Sequence, residues 1–246
     1  SAYNPLLEVR QGEWEVRDVQ NIADILVDPE GSLDKRNHWE KTSHSLLVGA
    51  ILHVLYAEND KTLAGVANFL SDPRRPVEAT LRAMMDTPHL GEAGVHPVIA
   101  SSARELLNKS ENERSGVLST AMSFLGLYLD PVVAQVTARC DRRIADLVGS
   151  CQPVTLYLVV PPSDINRTKP LIRLILNQIG RRLTEELTTS GKRHRLLLML
   201  DEFPALGRLD FFESALAFMA GYGIKGFLIA QSLNQIERAY GPNNAI

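Results

Sequence analysis

The stretch Leu196-Leu197-Leu198-Met199-Leu200-Asp201-Glu202 ends an apolar run on two adjacent carboxylates. If the run is a buried strand of an open α/β sheet, those carboxylates stand at its carboxyl end, where such sheets bind ligands. One carboxylate there suits the Mg²⁺ of a bound nucleotide, directly or through water, and the second can polarise an attacking water. Asp201 is thus the candidate metal-side residue and Glu202 the candidate general base. An acidic pair after an apolar strand is also the ordinary solvated end of a strand, and the pattern alone leaves both readings open. A second apolar run, Gly226-Phe227-Leu228-Ile229-Ala230, ends in Gln231-Ser232. If the two strands are neighbours, the Gln231 amide lies beside the carboxylates and can bond a terminal phosphate or orient the water. Taken alone, Gln231 reads as a loop or capping residue.

The phosphate half of such a site has its own signature, and it does not occur in these 246 residues: no G-x-x-x-x-G-K-[ST] is present. That loop supplies backbone N–H groups and a lysine to the phosphates. Gly191-Lys192 is no substitute, because Glu186 stands five places before Gly191, Arg193 follows Lys192, and the pair sits at the amino end of the carboxylate strand. The chain is therefore expected to hydrolyse ATP poorly or not at all.

The elements that must position these residues follow from periodicity. Val154 to Val160, a β-branched apolar run between Pro153 and Pro161-Pro162, reads as a parallel strand covered on both faces. A long amphipathic helix from about Lys169 to Thr189 follows, with Leu171, Ile172, Leu174, Ile175, Ile179 and Leu183 inward and Arg173, Arg181 and Arg182 outward or flanking. The Leu196–Leu200 strand comes next, then a helix from about Asp210 to Ala220, and then the strand at Gly226. Strand, helix, strand, helix, strand is the doubly wound pattern. From Asp18 to Gly149 the grammar is helical almost throughout. Leu46, Leu47, Ala50, Ile51, Val54 and Leu55 form one apolar stripe on a helix that begins near His38. Asp60 is a candidate cap for the next helix, Pro76 and Pro97 suit first turns, and a longer helix begins near Ser115 and stops by Pro131.

Composition bounds the rest. A 45% hydrophobic content over this length builds one large core or two modest ones, and a formal charge of −3 gives no global attraction to nucleic acid. Cys140 and Cys151 are too few for a disulfide framework and suit a reducing setting. The longest apolar run, Ser45 to Ala57, falls short of the roughly 20 residues that span a bilayer. The opening Ser1-Ala2-Tyr3-Asn4-Pro5 is not a signal peptide and reads like a cut inside a longer protein. Trp39 reads as a core anchor and His38 and His44 as surface or capping groups. Arg74, Arg75 and Arg82, and again Arg139, Arg142 and Arg143, are diluted by neighbouring acids and read as solvated faces. Met84, Met85 and Met122 lie at core spacing.

Three segments carry a resemblance. Tyr157-Leu158-Val159-Val160-Pro161-Pro162-Ser163-Asp164, Leu200-Asp201-Glu202-Phe203-Pro204-Ala205-Leu206-Gly207 and Ile229-Ala230-Gln231-Ser232 closely resemble the TraG family of type IV secretion coupling proteins. Tyr3-Asn4-Pro5-Leu6 and Asn37-His38-Trp39-Glu40 look like the same family, so the resemblance covers essentially the whole chain. It implies an α/β fold, a partial RecA-like P-loop-type parallel sheet with an inserted all-α domain. Residues 1–17 would be the edge of the nucleotide-binding domain, 18–149 the all-α domain that recognises cargo or DNA, and 150–246 the return to the sheet with its Walker B strand.

The resemblance also implies ATP and Mg²⁺ as cofactors of the parent protein, with weak or absent binding by this chain. Asp201 and Glu202 would take the Walker B roles and Gln231 the sensor role. The implied partners are relaxase and relaxosome accessory proteins or secreted effectors, single- or double-stranded DNA, and the ATPases and inner-membrane components of the secretion channel. The parent would be a homohexamer, this chain a monomer, and the location the cytoplasmic side of a bacterial inner membrane, with the membrane anchor and Walker A loop upstream of Ser1. Some relatives carry an arginine before the last strand that reaches a neighbouring subunit's phosphate. Ala220-Gly221-Tyr222 stands there instead, and Arg208 is the nearest candidate for that trans-acting role. Two other readings stay open: a pure cargo-recognition module without chemistry, and a replicative or repair ATPase, against which the helical insert argues.

Overall fold

A computed structural model describes residues 1–30, 36–187 and 193–241. The chain divides into two compact units, one of Ser1–Val27 with Asp34–Asp141 and the other of Asp28–Leu33 with Arg142–Ile246.

The first unit is all-α. Its helices are α1 (Glu15–Leu26), α2 (His38–Ala57), α3 (Leu63–Leu70), α4 (Val77–Asp86), α5 (Pro97–Leu107), α6 (Glu111–Leu125) and α7 (Pro131–Val136). Asn37 and Glu40 close a reciprocal capping box on α2, which fixes where that helix begins. Its apolar stripe is wider than the sequence spacing suggests, because every residue from Leu46 to Leu55 is buried. A helix buried on all sides is the core of its unit, and α1, α3, α5 and α6 pack around it. Gly49 allows the close approach of α5, since a Cβ there would overlap the Ser102 side chain. Trp39 is not a core anchor. It is 42% exposed on the first turn of α2 and lies across Gly116 of α6, where a Cβ would come within 2.7 Å of its ring. The cap of α3 is Thr62 rather than Asp60. The Thr62 hydroxyl accepts from the Gly65 N–H at 2.9 Å and donates to Asp60 at 2.8 Å, so the aspartate braces the cap from two residues upstream. The first residues pack on this unit as well. Ala2 N donates to Asp141 Oδ2 at 2.8 Å, Tyr3 N to Val136 O at 2.8 Å, and buried Asn4 donates to Lys61 O at 2.9 Å. Residues 1–17 pack with the helical unit, and the division between the compact units falls at Asp141.

The second unit contains α8 (Asp146–Gly149), α9 (Ile165–Leu183), β1 (Leu196–Leu200), α10 (Asp210–Met219), β2 (Ile224–Leu228) and α11 (Leu233–Tyr240). Strands β1 and β2 pair in parallel with Leu196 opposite Ile224 and Leu200 opposite Leu228. The sheet covers one face, with Leu198 and Ile224 buried and Gly226 against Leu216 of α10. Its other face is open: Met199 and its register partner Phe227 are 63% and 54% exposed.

The run Val154–Val160 does not form the expected strand. It carries no strand pairing among the described residues, and Tyr157 and Val159 are 80% and 84% exposed. Strand propensity sets the taste of a segment for a pleated, covered position, but a strand exists only where a neighbouring backbone accepts its ladder. The helix expected from Lys169 starts earlier, at Ile165, and ends at Leu183; residues 188 and 189, and Gly191-Lys192, lie outside the described residues. Cys140 Sγ donates to Asn4 O at 3.4 Å, and Cys151 Sγ accepts from Arg193 Nη1 at 3.2 Å. Among the described residues no helix is long and apolar enough to cross a membrane.

Candidate functional site

The site is built at the carboxyl ends of β1 and β2. Because the strands run parallel and in register from Leu196 and Ile224, both chains leave the sheet at the same end. The ladder continues past the strands: Ile229 N donates to Leu200 O at 3.0 Å, and Phe203 N donates to Ile229 O at 3.0 Å. Asp201 and Glu202 are caught between these two bonds, so their backbones are set by the sheet rather than by a free loop.

Glu202 turns the chain in the left-handed region, at φ 51° and ψ 39°, and is the one non-glycine with positive φ among the described residues. A residue with a Cβ pays roughly 1–2 kcal/mol for that conformation, and such strain is concentrated at functional sites. Here it reverses the backbone after Asp201 and brings the Glu202 carboxylate across to the second strand's exit. Gln231 Nε2 donates to Glu202 Oε1 at 2.6 Å. The glutamine is itself held, its backbone N–H donating to Gln235 Oε1 on the first turn of α11 at 3.0 Å. Asp201 is exposed, and its Oδ1 accepts the Glu202 N–H at 3.1 Å. Three of the four residues singled out from the sequence thus gather at one sheet end, and two of them are in direct contact.

Arg208, the fourth, is turned elsewhere. Its Nε donates to Glu213 Oε2 on α10 at 3.0 Å. The loop that carries it is pinned by a residue that periodicity misassigns. Arg173 of α9 is not outward: it is 3% exposed, and its Nη1 donates to Leu206 O at 2.9 Å and Arg208 O at 2.6 Å. Two loop carbonyls thus share one buried guanidinium as donor. Between them Gly207 sits at φ 70° and ψ −169°, a conformation open to glycine, with the Glu30 carbonyl where a Cβ would go. The same loop is tied on its far side by Tyr240 of α11, whose hydroxyl accepts the Leu209 N–H at 3.3 Å while its ring stacks on Phe203. The signal for Arg173 was available: with Asn177 it stands one turn apart on the helix, inside the segment of buried leucines and isoleucines, where a solvated charge has no place.

The donor set fits one side of a magnesium–nucleotide site. Among the described residues no three His, Cys, Asp or Glu side chains converge to hold a metal ion. Mg²⁺ takes one or two carboxylates and completes its shell with water and phosphate oxygens. Asp201 is exposed for that role.

A family model for type IV secretory system conjugative DNA transfer matches residues 1–246. A conjugal transfer protein TraG of Escherichia coli is 44% identical over 260 residues, which takes in 100% of this chain and 41% of that protein. Protein VirD4 of Agrobacterium fabrum (strain C58 / ATCC 33970) is 32% identical over 143 residues, 56% of this chain and 21% of that one. A solved structure of the plasmid coupling protein TrwB in complex with ADP and Mg²⁺ shares the fold with a TM-score of 0.69 at 20% identity, covering 100% of this chain and 53% of that chain. The likeness bears out the α/β fold read from the sequence, a partial parallel sheet with an all-α domain. The chain spans about two fifths of the length of the TraG relatives it matches. With its whole length matched by one family model and by relatives well above 30% identity, the chain belongs to the type IV secretory system conjugative DNA transfer family.

Proposed function

We propose that this chain supplies the carboxylate half of a Mg–ATP site in a motor that couples DNA or protein cargo to a type IV secretion channel. The observation that carries the reading is the 2.6 Å hydrogen bond between Glu202 and Gln231 at the aligned ends of two parallel strands. In this reading Asp201 holds the metal side, Glu202 takes the proton of the attacking water, and Gln231 reads the state of the terminal phosphate. Bound Mg²⁺ would neutralise charge on the phosphates. Structures of TrwB hold ADP with Mg²⁺ and the ATP analogue ADPNP, which favours a nucleotide as the ligand of the shared fold. Arg208 is the nearest candidate for a trans-acting arginine, and reaching a neighbouring subunit would require it to leave Glu213. The all-α unit recognises cargo, whether relaxase, accessory protein, effector or DNA. Its complete core, centred on α2, is what a separately folding recognition module needs. The assembled protein works as a homohexamer on the cytoplasmic face of the inner membrane, against the channel ATPases and membrane components.

Complementation of a transfer-deficient donor tests the motor. With Glu202→Gln in the full-length gene, transfer is expected to fall by roughly 10² to 10⁴, the scale of a lost general base, at undiminished protein level. Wild-type transfer frequency in that variant sinks the assignment. The isolated chain, with no phosphate-binding loop, is expected to show little or no Mg-dependent ATP turnover.

A further inference from the structure

Within the helical unit, five polar side chains distant in sequence form one connected hydrogen-bond relay. Glu15 of α1 is buried, and its carboxylate accepts three donors: Tyr56 O–H at 2.6 Å, Gly12 N–H at 2.9 Å and His96 Nε2 at 3.0 Å. His96, the N-cap of α5, accepts the Val98 N–H on Nδ1 at 3.2 Å. Its own backbone N–H points to His89 Nδ1 at 3.4 Å, and His89 Nε2 lies 2.8 Å from His53 Nδ1 on α2. His53 is buried against Phe69, ring on ring at 4.5 Å, with its Nε2 toward Glu58 at 3.6 Å.

One set of tautomers satisfies all of these contacts. Since the Val98 N–H occupies His96 Nδ1, the His96 proton is on Nε2, where it donates to Glu15. Since the His96 N–H occupies His89 Nδ1, the His89 proton is on Nε2, where it donates to His53 Nδ1. The His53 proton is then on Nε2, facing Glu58. One added proton on His89 or His53 sets two donors head to head, and no lone pair is left to receive it.

We propose that this relay is an acid-sensitive latch, in which neutral His53 and His89 fasten the connection between α4 and α5 to the centre of the helical unit and protonation of either releases it. Of the other charged groups around the pair, Arg75 acts in the same direction and Glu58 against it. Arg75, 4.7 Å from the centre of the Phe69 ring that stacks on His53, opposes a positive charge on His53, and Glu15 is bonded to His96 rather than to either of the pair. Glu58 is the one acid facing His53, and it is half exposed to water. Burial, followed by the Arg75 charge, pulls His53 down to about 4 from an ordinary value of 6.5; burial, followed by His53 and His96, does the same to His89.

The sign follows. The released state takes up protons that the latched state refuses, so the latch is complete above about pH 6.5 and weakens as pH falls toward about 4. Each refused proton contributes up to about tenfold per pH unit to the opening equilibrium, and both together up to about a hundredfold. Two measurements on this chain test it. Ring-nitrogen NMR should place the proton of His53, His89 and His96 on Nε2 in each, with neither His53 nor His89 titrating above pH 5. Backbone amide exchange of the 87–98 segment, corrected for the intrinsic pH dependence, should show opening that steepens below pH 6. In His89→Gln, whose amide can donate to His53 and accept from His96 without titrating, the pH slope should fall by about one power of ten per unit. A proton on His89 Nδ1, a midpoint near 6.5 for either imidazole, or equal slopes in the two proteins overturns the latch.

Discussion

The helical unit closes on itself and the sheet unit does not. In the first, α2 is buried on every side from Leu46 to Leu55, and buried Glu15, His53 and His96 share one hydrogen-bond network. In the second, one face of the β1–β2 pair carries Leu197, Met199 and Phe227 into solvent, and the apolar run at Val154–Val160 lies unpaired among the described residues. Helices satisfy their backbones internally, so a bundle needs only side-chain burial to be complete. A parallel strand borrows its hydrogen bonds from neighbours and its cover from layers on both faces. The same apolar composition therefore yields a finished core in one half and an open surface in the other.

That contrast breaks most sharply at the centre of α2. Leu47 is fully buried, and Leu47→Ala is expected to cost about 3–5 kcal/mol in the helical unit, the range for a buried leucine whose surroundings cannot collapse. Urea unfolding followed by a probe in each unit should show the helical transition move and the other stay; a loss below about 1 kcal/mol would mean the core is looser than its packing shows. In the sheet unit Leu174 and Phe212 are buried as deeply, and a charge is held inside beside them. Arg173→Ala leaves the Leu206 and Arg208 carbonyls without their donor. It should cost about 1–3 kcal/mol in that unit, the range for acceptors left without their donor. Arg173→Lys should recover only part, because one ammonium cannot reproduce the reach and planarity of the guanidinium.

How much of this was legible in the sequence follows the same divide. Strand β1 was readable to the residue as Leu196–Leu200, because an apolar run bounded by a basic segment and an acidic pair has few alternatives. Pro97 opens α5 as its fixed φ favours, and Asp201, Glu202 and Gln231 were identified together because chemistry and chain order both point to strand ends. What escaped depends on partners distant in sequence. Pairing decides whether Val154–Val160 is a strand, and no local pattern reports it. Arg173 reads as solvated on a helical wheel until the loop it serves is seen. The relay through Glu15, His53, Tyr56, His89 and His96 has no sequence spacing at all, since it joins α1, α2 and the approach to α5. Trp39 escapes because size suggests a core position, whereas this first-turn residue lies half-exposed against Gly116 of α6.

The gentlest test sharpens the comparison from the open side. Val159 is 84% exposed and touches no core, so Val159→Ser should change the unfolding free energy of the isolated chain by less than about 0.5 kcal/mol. A fully covered valine of the kind the sequence pattern implies would instead lose about 1.5–3 kcal/mol of burial. The two outcomes are far enough apart for a single denaturant titration to separate them. In the full-length protein the same substitution becomes the informative one. If the run is a covered strand there, the cost should rise toward the buried value while the isolated chain stays indifferent. Equal, small effects in both would show that Tyr157 and Val159 face water in the working protein, and that the apolar run serves something other than the sheet.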